Sequence, residues 1–584
     1  MAPVACQGSD LAKFRSNGRF IVTQGKEFWK DGELNFPDFG PVSRSVDKSY
    51  RSLLGPCVAL DAWVYENCDS GMKYAFRRLT AAREPSSSRL AMLDPKTTDK
   101  DEFIENYDAM LRKNQDANVP ALYDLLENIS STYGSTDQDI FSTIEEAAEE
   151  FHDNPHAKRV LRIQAWREMN ESGARHHKLW LAEVLYKFKK DEIAKFGKKP
   201  RSIGDLGVAA SLQGFICTSL LKKAMAKHPI TNNGMTAEFI KSPKPEALAG
   251  AFSQLLDPVG RGYMCYFSDD SCISIVINGV KRKFNVDISG CDSSHGDKIF
   301  EALIRIAPKA LRPAFRILVE QLKLPVVIRS QHGHAKVRGH FTGPTLFSGS
   351  TATTVTNNVA NVLIFLILSS LTFEDRHYSA SELSSIFTHA LESIGYVVTG
   401  FSEKEECHRP EDLQFLKHSL ALDVSGVYRP LLNHGVFLRS QGSCHGDVPG
   451  GSKRFSIVQR CASFQLSLIR GMFPRTSAPI ITRLLAAAQR NAHPDLSHVC
   501  DEIVAKQLEY KVDQGDQTYY FTDEALLARY NLTAEDLFAA QEFADAGPYE
   551  HTAAPFASKI LQADYQIGTL TWKNKCIKDG TWMT

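Results

Sequence analysis

Apolar, β-branched and aromatic residues form three dense runs near the middle of the chain. The first two runs, residues 263–267 and 272–277, flank the polar turn Ser268-Asp269-Asp270. This pattern predicts two short strands with an acidic pair at the bend. A third run follows Asn278-Gly279, and Asn-Gly between apolar runs favours a two-residue type I′ turn, because both residues adopt positive φ at little cost. The pattern therefore predicts three consecutive antiparallel strands.

The second turn also fixes which residues face each other. If Ile277 faces Val280, Asp270 falls opposite Asp287, and Asp269 lies one step away. Three carboxylates at one end of a small sheet repel each other unless a cation neutralises them, and clusters of oxygen ligands suit Mg²⁺ or Mn²⁺. Two such ions stabilise both oxygens of an in-line phosphoryl displacement. The register thus predicts a site for two metal ions, and a two-residue turn joins its strands without a crossing connection.

Four other segments carry spacings that are uncommon by chance. Asp292 follows Asp287 in a D-x4-D pattern at the predicted end of the third strand. An apolar helix, predicted to run to about residue 371, opens with an S-G-x3-T-x3-N pattern formed by Ser348, Gly349, Thr353 and Asn357. Residues 394–404 form a strand-like segment that ends on Lys404, and residues 413–419 follow it.

Taken together, these segments resemble the RNA-dependent RNA polymerases of RNA viruses. Asp287 and Asp292 match motif A of that family, residues 348–357 match motif B, Lys404 stands at the motif D lysine, and residues 415–417 resemble the primer-grip motif E. The basic run at residues 189–203 is similar to motif F of the fingers. The resemblance covers about residues 187–419.

Motif C departs from the common order. Most such polymerases carry Gly-Asp-Asp between motifs B and D, but here that interval, residues 371–385, predicts a loop and a helix. The candidate is Ser268-Asp269-Asp270, upstream of motif A, with Ser in place of Gly. The resulting order, C-A-B-D-E, resembles the permuted polymerases of birnaviruses and permutotetraviruses.

The resemblance implies roles for individual residues. Asp287 and Asp269 would hold two Mg²⁺ or Mn²⁺ ions, Asp270 would assist, and Lys404 would protonate the leaving pyrophosphate. The nucleotide would contact Arg201, Lys190, Asp292, Ser348, Gly349, Thr353 and Asn357, with Asp292, Ser348 and Asn357 around the ribose hydroxyls. Template and primer RNA would contact Lys198, Lys199, Phe415, Leu416 and Lys417.

The implied fold class is α+β: a right hand of fingers, palm and thumb, with an antiparallel palm sheet flanked by helices. We expect an N-terminal extension with part of the fingers at residues 1–150, fingers at 151–262, palm at 263–306, a fingers insertion at 307–345, palm at 346–422, and thumb at 423–584. Apolar spacing predicts helices over about 155–195 and 208–227, and residues 325–341 are strand-like.

Composition changes this picture little. The 584 residues carry 68 Lys and Arg and 68 Asp and Glu, a net charge of zero, which is atypical of a protein that simply coats nucleic acid. An RNA channel must therefore come from local charge, and residues 187–201 hold seven cations in fifteen positions. The 12 cysteines show no zinc spacing, and no apolar run is long enough to span a bilayer.

These features predict the partners and the location. We expect RNA template, nascent RNA and nucleoside triphosphates as ligands, viral capsid or other replication proteins as further partners, no membrane insertion, and reduced cysteines in the host-cell cytoplasm. Two alternatives remain open. A reverse transcriptase would share the carboxylates but is expected to carry an aromatic steric gate where this chain has Asp292, and a non-catalytic RNA-binding protein would have a decayed palm.

Overall fold

A computed structural model describes most of the chain. It covers residues 18–36, 44–45, 57–58, 60, 63–64, 69–94, 96–133, 142, 145–146, 183–188, 193–194, 198–330, 334–440, 454–470, 475–476, 479–508, 520–545, 551–552 and 554–568. Within these ranges the protein is mixed α and β, and its sheets are mainly antiparallel.

A six-stranded sheet lies at the centre. Its strands, in spatial order, are Ile230–Asn232, Met235–Phe239, Gly262–Phe267, Asp270–Ile277, Val280–Ile288 and Val398–Thr399. The second and third strands are parallel and are connected through the helix Pro245–Leu256, and the other neighbouring pairs are antiparallel. The three predicted consecutive strands therefore exist and form the middle of this sheet.

The predicted register is confirmed residue by residue. Ile277 pairs with Val280, and seven steps further Asp270 pairs with Asp287. Asn278 and Gly279 have φ of 49° and 81°, as a type I′ turn requires. The side chain of Asn278 also donates to the carbonyl oxygens of Glu374 and Arg376, so the turn is tied to the neighbouring loop.

The hairpin formed by Gly262–Phe267 and Asp270–Ile277 is buried on both faces, which explains the near-continuous apolar sequence of these two strands. Met264, Tyr266 and Ile273 belong to the larger hydrophobic core, whereas Cys265 and Cys272 on the opposite face belong to a second core formed with the C-terminal helices. Side chains alternate between the two faces of a strand. A shift of the pairing register by one residue would therefore turn the side chains of each face toward the wrong core.

The helix Thr353–Ser369 passes through the larger core. All of its residues from Val355 to Leu366 are buried, and it packs against two strands of the central sheet and the helices Asp297–Ile306, Ala380–Glu392 and Val208–Lys227. Three asparagines, Asn357, Asn358 and Asn361, are buried on this otherwise apolar helix. Buried amides are costly unless they form hydrogen bonds, so their partners are of interest for the site.

A five-stranded sheet lies beside this core. Its strands, in spatial order, are Phe20–Gln24, Lys336–Phe341, Val326–Arg329, Val184–Phe188 and Ser202–Asp205. The strand-like segment expected at 325–341 is thus a hairpin, and the N-terminal strand completes its outer edge. The predicted helix over 208–227 is confirmed as Val208–Lys227.

The helix predicted over 155–195 is wrong in its last part. Residues Val184–Phe188 and Ile193–Ala194 are strands, and residues 155–182 lie outside the described part of the chain. In the sequence VLYKF, Val184 and Tyr186 are buried while Lys187 is exposed. This alternation with a period of two, in β-branched and aromatic residues, favours a strand.

The C-terminal part is mainly helical, as expected after residue 422, but its described residues also include the strand Tyr428–Leu432 and three two-residue strands. A three-stranded sheet precedes the C-terminal helices. Its strands are Gln414–Phe415, His418–Leu422 and Tyr428–Leu432. The helices that follow are His434–Ser440, Ile457–Arg470, Pro479–Asn491, Ser497–Leu508, Asp523–Tyr530, Ala534–Asp545 and Pro555–Tyr565.

The remaining helices are Asp69–Thr80, Ser87–Ala91, Lys100–Asn118, Tyr123–Thr132, Cys291–Ser294 and Arg312–Gln321. Short strand pairs join Trp29–Lys30 to Glu33–Leu34, Cys57–Val58 to His551–Thr552, and Arg475–Thr476 to Tyr520–Phe521. Trp63–Val64 pairs with both Arg44–Ser45 and Ile193–Ala194. Among the described residues, each helix is too short or too polar to cross a bilayer.

The Asn278-Gly279 turn can be tested by stability. A side chain at Gly279 would meet no atom within 4 Å, so Gly279→Val should act only through its positive φ and lower the free energy of unfolding by about 1–2 kcal/mol. Gly250→Val is the matched control, because Gly250 is exposed on the helix Pro245–Leu256 and is also free of close contacts. Its effect should stay within about 0.5 kcal/mol. Equal urea midpoints for the two variants would contradict the turn assignment.

Candidate active site

Three carboxylates lie at one end of the central six-stranded sheet. Asp270 and Asp287 are cross-strand partners, and Asp269 lies in the turn before Asp270. The side chains of Asp269 and Asp287 are open to solvent. The protein that surrounds Asp287 partly desolvates it, and this effect, together with the nearby Asp269 carboxylate, raises the pKa of Asp287 from 3.8 to about 6. Negative charge at this point is therefore only partly compensated.

The donor set fits a divalent cation. Asp269 and Asp287 provide carboxylate oxygens whose repulsion a cation would relieve, and oxygen donors suit Mg²⁺ or Mn²⁺. One oxygen of Asp270 already has a hydrogen-bond donor: its Oδ2 accepts a bond of 2.9 Å from the backbone N–H of Leu416. Within the described ranges, no three His, Cys, Asp or Glu side chains are grouped closely enough to form a complete metal site on their own.

Three asparagines of the buried helix hold the turn that carries Asp269. The backbone N–H of Ser268 donates to Asn358 Oδ1 (2.8 Å), its carbonyl oxygen accepts from Asn361 Nδ2, and its Oγ accepts from Asn357 Nδ2 (3.2 Å). Ser268 has φ of 54°, a conformation that is uncommon for a residue with a side chain. Every polar group of this strained residue is thus fixed by one helix.

A second network joins the D-x4-D segment to the start of that helix. Ser348 Oγ donates to Asp292 Oδ2 (3.0 Å), and Asn357 Nδ2 donates to Asp292 Oδ1 (3.2 Å). The three residues predicted to surround the ribose hydroxyls therefore contact each other. Because Asn357 also contacts Ser268, this network is continuous with the turn that carries Asp269.

Cations from the predicted basic segment reach the same place. Lys198 and Arg201 lie close enough to Asp287 to oppose the rise in its pKa. Lys199 is half-buried, and burial lowers its pKa, an effect that the nearby Arg77 and Arg78 reinforce. Lys190 lies outside the described residues.

The loop before the buried helix packs directly on the five-stranded sheet. The N–H of Gly204 donates to the carbonyl oxygen of Ser348 (2.9 Å), and Gly349 has φ of 99°. A Cβ on Gly349 would lie 2.7 Å from the carbonyl oxygen of Gly204 and 2.8 Å from Ile203 Cγ2. Gly349 therefore permits a close approach between the loop and this strand. The Thr353 hydroxyl donates within the same loop, to the carbonyl oxygens of Phe347 and Ser350.

The residues predicted to grip the primer differ in their exposure to solvent. Phe415 and Leu416 are each 1% exposed and belong to the second core, so their side chains do not face solvent, whereas Lys417 is half-buried. Leu416 and Lys417 have φ of 49° and 60°. This strained turn positions the Leu416 N–H on Asp270, which links the three-stranded sheet to the carboxylates.

Lys404 is exposed in the turn that follows the strand Val398–Thr399. Thr399 pairs with Asp287, so this turn begins beside the carboxylates. Two of its acidic neighbours are engaged elsewhere: Glu406 pairs with Arg282, and Glu405 accepts from Ser402 and the Gly400 N–H. These two carboxylates therefore do not hold Lys404.

Sequence reasoning missed the residues that support these groups. Asn358 and Asn361 could have been noticed, since polar residues inside an apolar helix require partners. His295 offered only its position three residues after Asp292. Its ring bonds Asn357 and Tyr396, which are 62 and 101 residues away in sequence.

No protein-family model matches this chain, and no curated protein matches it in sequence. What this site can do is therefore inferred from its own residues.

The contact between the loop and the strand yields a prediction. Gly349→Ala should lower the free energy of unfolding by at least about 1 kcal/mol more than Gly207→Ala, because its Cβ overlaps neighbouring atoms in addition to adopting positive φ. Gly207 is the matched control, with φ of 81° and no atom within 4 Å of its added Cβ. Thermal and urea unfolding measure the difference. Equal losses in the two variants would show that the close approach at Gly349 is not required.

Proposed function

We propose that this protein is an RNA-dependent RNA polymerase that joins ribonucleoside triphosphates on an RNA template. The proposal rests on one observation, which is that the groups expected at a polymerase site lie next to each other. They are the paired Asp270 and Asp287, the turn with Asp269, the network of Asp292, Ser348 and Asn357, and the cations of the basic segment. Phosphoryl transfer is catalysed mainly by positioning and by charge neutralisation, and these groups supply both.

The carboxylates would hold the metal ions. Asp287 and Asp269 would be the main ligands, with Asp270 beside them, and two ions would neutralise the attacking and leaving oxygens of an in-line displacement. Arg201 would attract the triphosphate by charge, and Lys198 would contact the RNA. Lys404 would donate a proton to the departing pyrophosphate, since its turn starts beside Asp287.

The sugar would be read by the second network. Asp292 is an acceptor for a ribose hydroxyl, and Ser348 and Asn357 hold its two oxygens. A site arranged for a hydroxyl rejects an analogue that lacks it, because polar groups are then left unpaired. This favours ribonucleotides over deoxyribonucleotides and distinguishes the proposal from a reverse transcriptase.

The motif order supports a place among right-hand polymerases whose motif C precedes motif A. In that assignment the central sheet is the palm, the five-stranded sheet with its basic segment belongs to the fingers, and the C-terminal helices form the thumb. RNA template and product would be the partners, other replication or capsid proteins would associate with them, and the host-cell cytoplasm would be the location.

The metal assignment predicts loss of activity without loss of fold. Asp269→Asn and Asp287→Asn each remove a charged ligand at a solvent-facing end of the sheet, so nucleotide addition should fall by at least about 10²-fold. Primer extension on a defined RNA template, with Mg²⁺ or Mn²⁺ and with NTPs or dNTPs, measures this effect.

Asp257→Asn is the control for that experiment. Asp257 is exposed and contacts Lys281, and an exposed pair contributes little to stability. Its activity should equal that of the wild type. Extension by Asp269→Asn at the wild-type rate would refute the assignment of motif C, and an inactive wild-type protein would favour the non-catalytic RNA-binding alternative.

The role of Lys404 is separable by kinetics. A positioned general acid contributes about 10²- to 10⁴-fold, so Lys404→Leu should slow single-turnover extension within that range and leave RNA binding nearly unchanged, and Lys404→Arg should be intermediate. Lys281→Leu, at the opposite end of the adjoining strand, is the control for loss of a surface cation. If Lys404→Leu extends primer as fast as Lys281→Leu, the proton comes from another donor.

A further inference from the structure

His295 is buried next to the sugar-reading network without contacting any group assigned to substrate except Asn357. Its Nε2 lies 2.8 Å from Asn357 Oδ1, and its Nδ1 lies 2.9 Å from the hydroxyl of Tyr396. His295 and Tyr396 are 1% and 0% exposed. The three side chains form a continuous line from the core to the site.

The chemistry of Asp292 fixes the direction of every bond in this line. Its carboxylate only accepts, so the Asn357 group 3.2 Å from Asp292 Oδ1 must be the amide NH₂. The amide oxygen then faces His295, and because that oxygen only accepts, Nε2 must carry the proton. Cys291 Sγ, 3.2 Å from the same oxygen, adds a second weak donor.

The other ring nitrogen follows from burial. An imidazolium is costly in an apolar environment, and burial lowers the pKa of His295 to about 4 despite the nearby Asp292. The ring is therefore neutral near pH 7, and Nδ1 has no proton, so it accepts from the Tyr396 hydroxyl. The Tyr396 hydroxyl thus donates to the bare Nδ1, and the Nε2–H holds the amide oxygen of Asn357 toward His295.

We propose that His295, as its Nε2–H tautomer with Nδ1 accepting from Tyr396, locks the Asn357 amide with its NH₂ group toward Asp292 and Ser268, and so sets the preference for ribonucleotides over 2′-deoxyribonucleotides. The inference rests on the proposed function and adds a positioning residue to it. A flipped amide would direct its oxygen at the Asp292 carboxylate and remove the donor beside the sugar site.

Three variants separate this role from simple packing. His295→Leu removes the donor, Tyr396→Phe removes the hydroxyl that donates to Nδ1, and His295→Gln retains an N–H that can reach Asn357. Equilibrium binding of ATP and 2′-dATP is measured with Mg²⁺ and without RNA, so that no phosphodiester bond forms. In His295→Leu, the ratio of the affinities for ATP and 2′-dATP should fall by about tenfold, as expected for one lost hydrogen bond. The ratio should fall less in Tyr396→Phe, and His295→Gln should retain most of it.

Two matched controls report on burial alone. His434 is also buried, and neither of its ring nitrogens has a hydrogen-bond partner among the residues that the structure describes. Within the same part of the chain, the buried hydroxyl of Tyr133 has no partner either. His434→Leu and Tyr133→Phe should therefore keep the wild-type preference for ATP. A preference lost equally in His434→Leu and His295→Leu would overturn the inference.

A measurement on the wild-type protein reports the tautomer directly. Nitrogen-15 chemical shifts of labelled histidine rings distinguish the two neutral tautomers and the imidazolium. The His295 signal, assigned by its absence in His295→Gln, should show Nε2–H at pH 6.5, and an Nδ1–H or charged ring would overturn the inference.

The outcomes for the two proposals are distinct. Wild-type protein that binds ATP no more tightly than 2′-dATP overturns the role of His295, whatever its catalytic activity. Wild-type protein that prefers ATP and loses that preference in His295→Leu, but extends no primer, supports the role of His295 and refutes the polymerase.

Discussion

The pairing of Asp270 with Asp287 is fixed seven residues away from those carboxylates, at a turn that contacts none of them. Asn278 and Gly279 both adopt positive φ, and the strands on either side pair without interruption to Asp270. The two faces of the strand Asp270–Ile277 enter different cores, through Ile273 on one side and Cys272 on the other, so a slip of one residue would turn the wrong set of side chains into each core. The free energy of two cores thus enforces the alignment of two charged groups.

A helix that is almost entirely buried supports the polar part of the site. Each of Asn357, Asn358 and Asn361 would destabilise an apolar core if it lacked partners. All three reach Ser268, whose φ of 54° is strained for a non-glycine residue. The hydrogen bonds of the asparagines offset the strain of the turn, and the turn satisfies the asparagines. Strain of this kind persists where the surroundings over-determine it, which is common at functional sites.

Local chemistry determined how much could be predicted from sequence. The hairpin, its register and the positions of Asp269, Asp270 and Asp287 follow from turn residues and alternation, which act over a few positions. The helix expected over 155–195 was wrong at Val184–Phe188, because tertiary pairing stabilises that segment as a strand between the nearby Ser202–Asp205 and the distant Val326–Arg329. Phe415 and Leu416 look like surface contacts in a motif, but tertiary packing buries them. The partners that matter most for the site are far away in sequence: Asn357 and Tyr396 lie 62 and 101 positions from His295, and Ser268 lies 93 positions from Asn361.

Asn357 connects the two halves of the site. Its NH₂ group lies 3.2 Å from both Asp292 Oδ1 and Ser268 Oγ, so the same amide contacts the network that would read the sugar and the turn that carries Asp269. Serine in place of glycine at position 268 makes this bond possible, because glycine has no Oγ. A nucleotide that disturbs the amide would therefore also disturb the turn that carries Asp269. Under the proposed function, a sugar without its 2′-hydroxyl would be penalised in binding and again in the position of Asp269, because one side chain serves both.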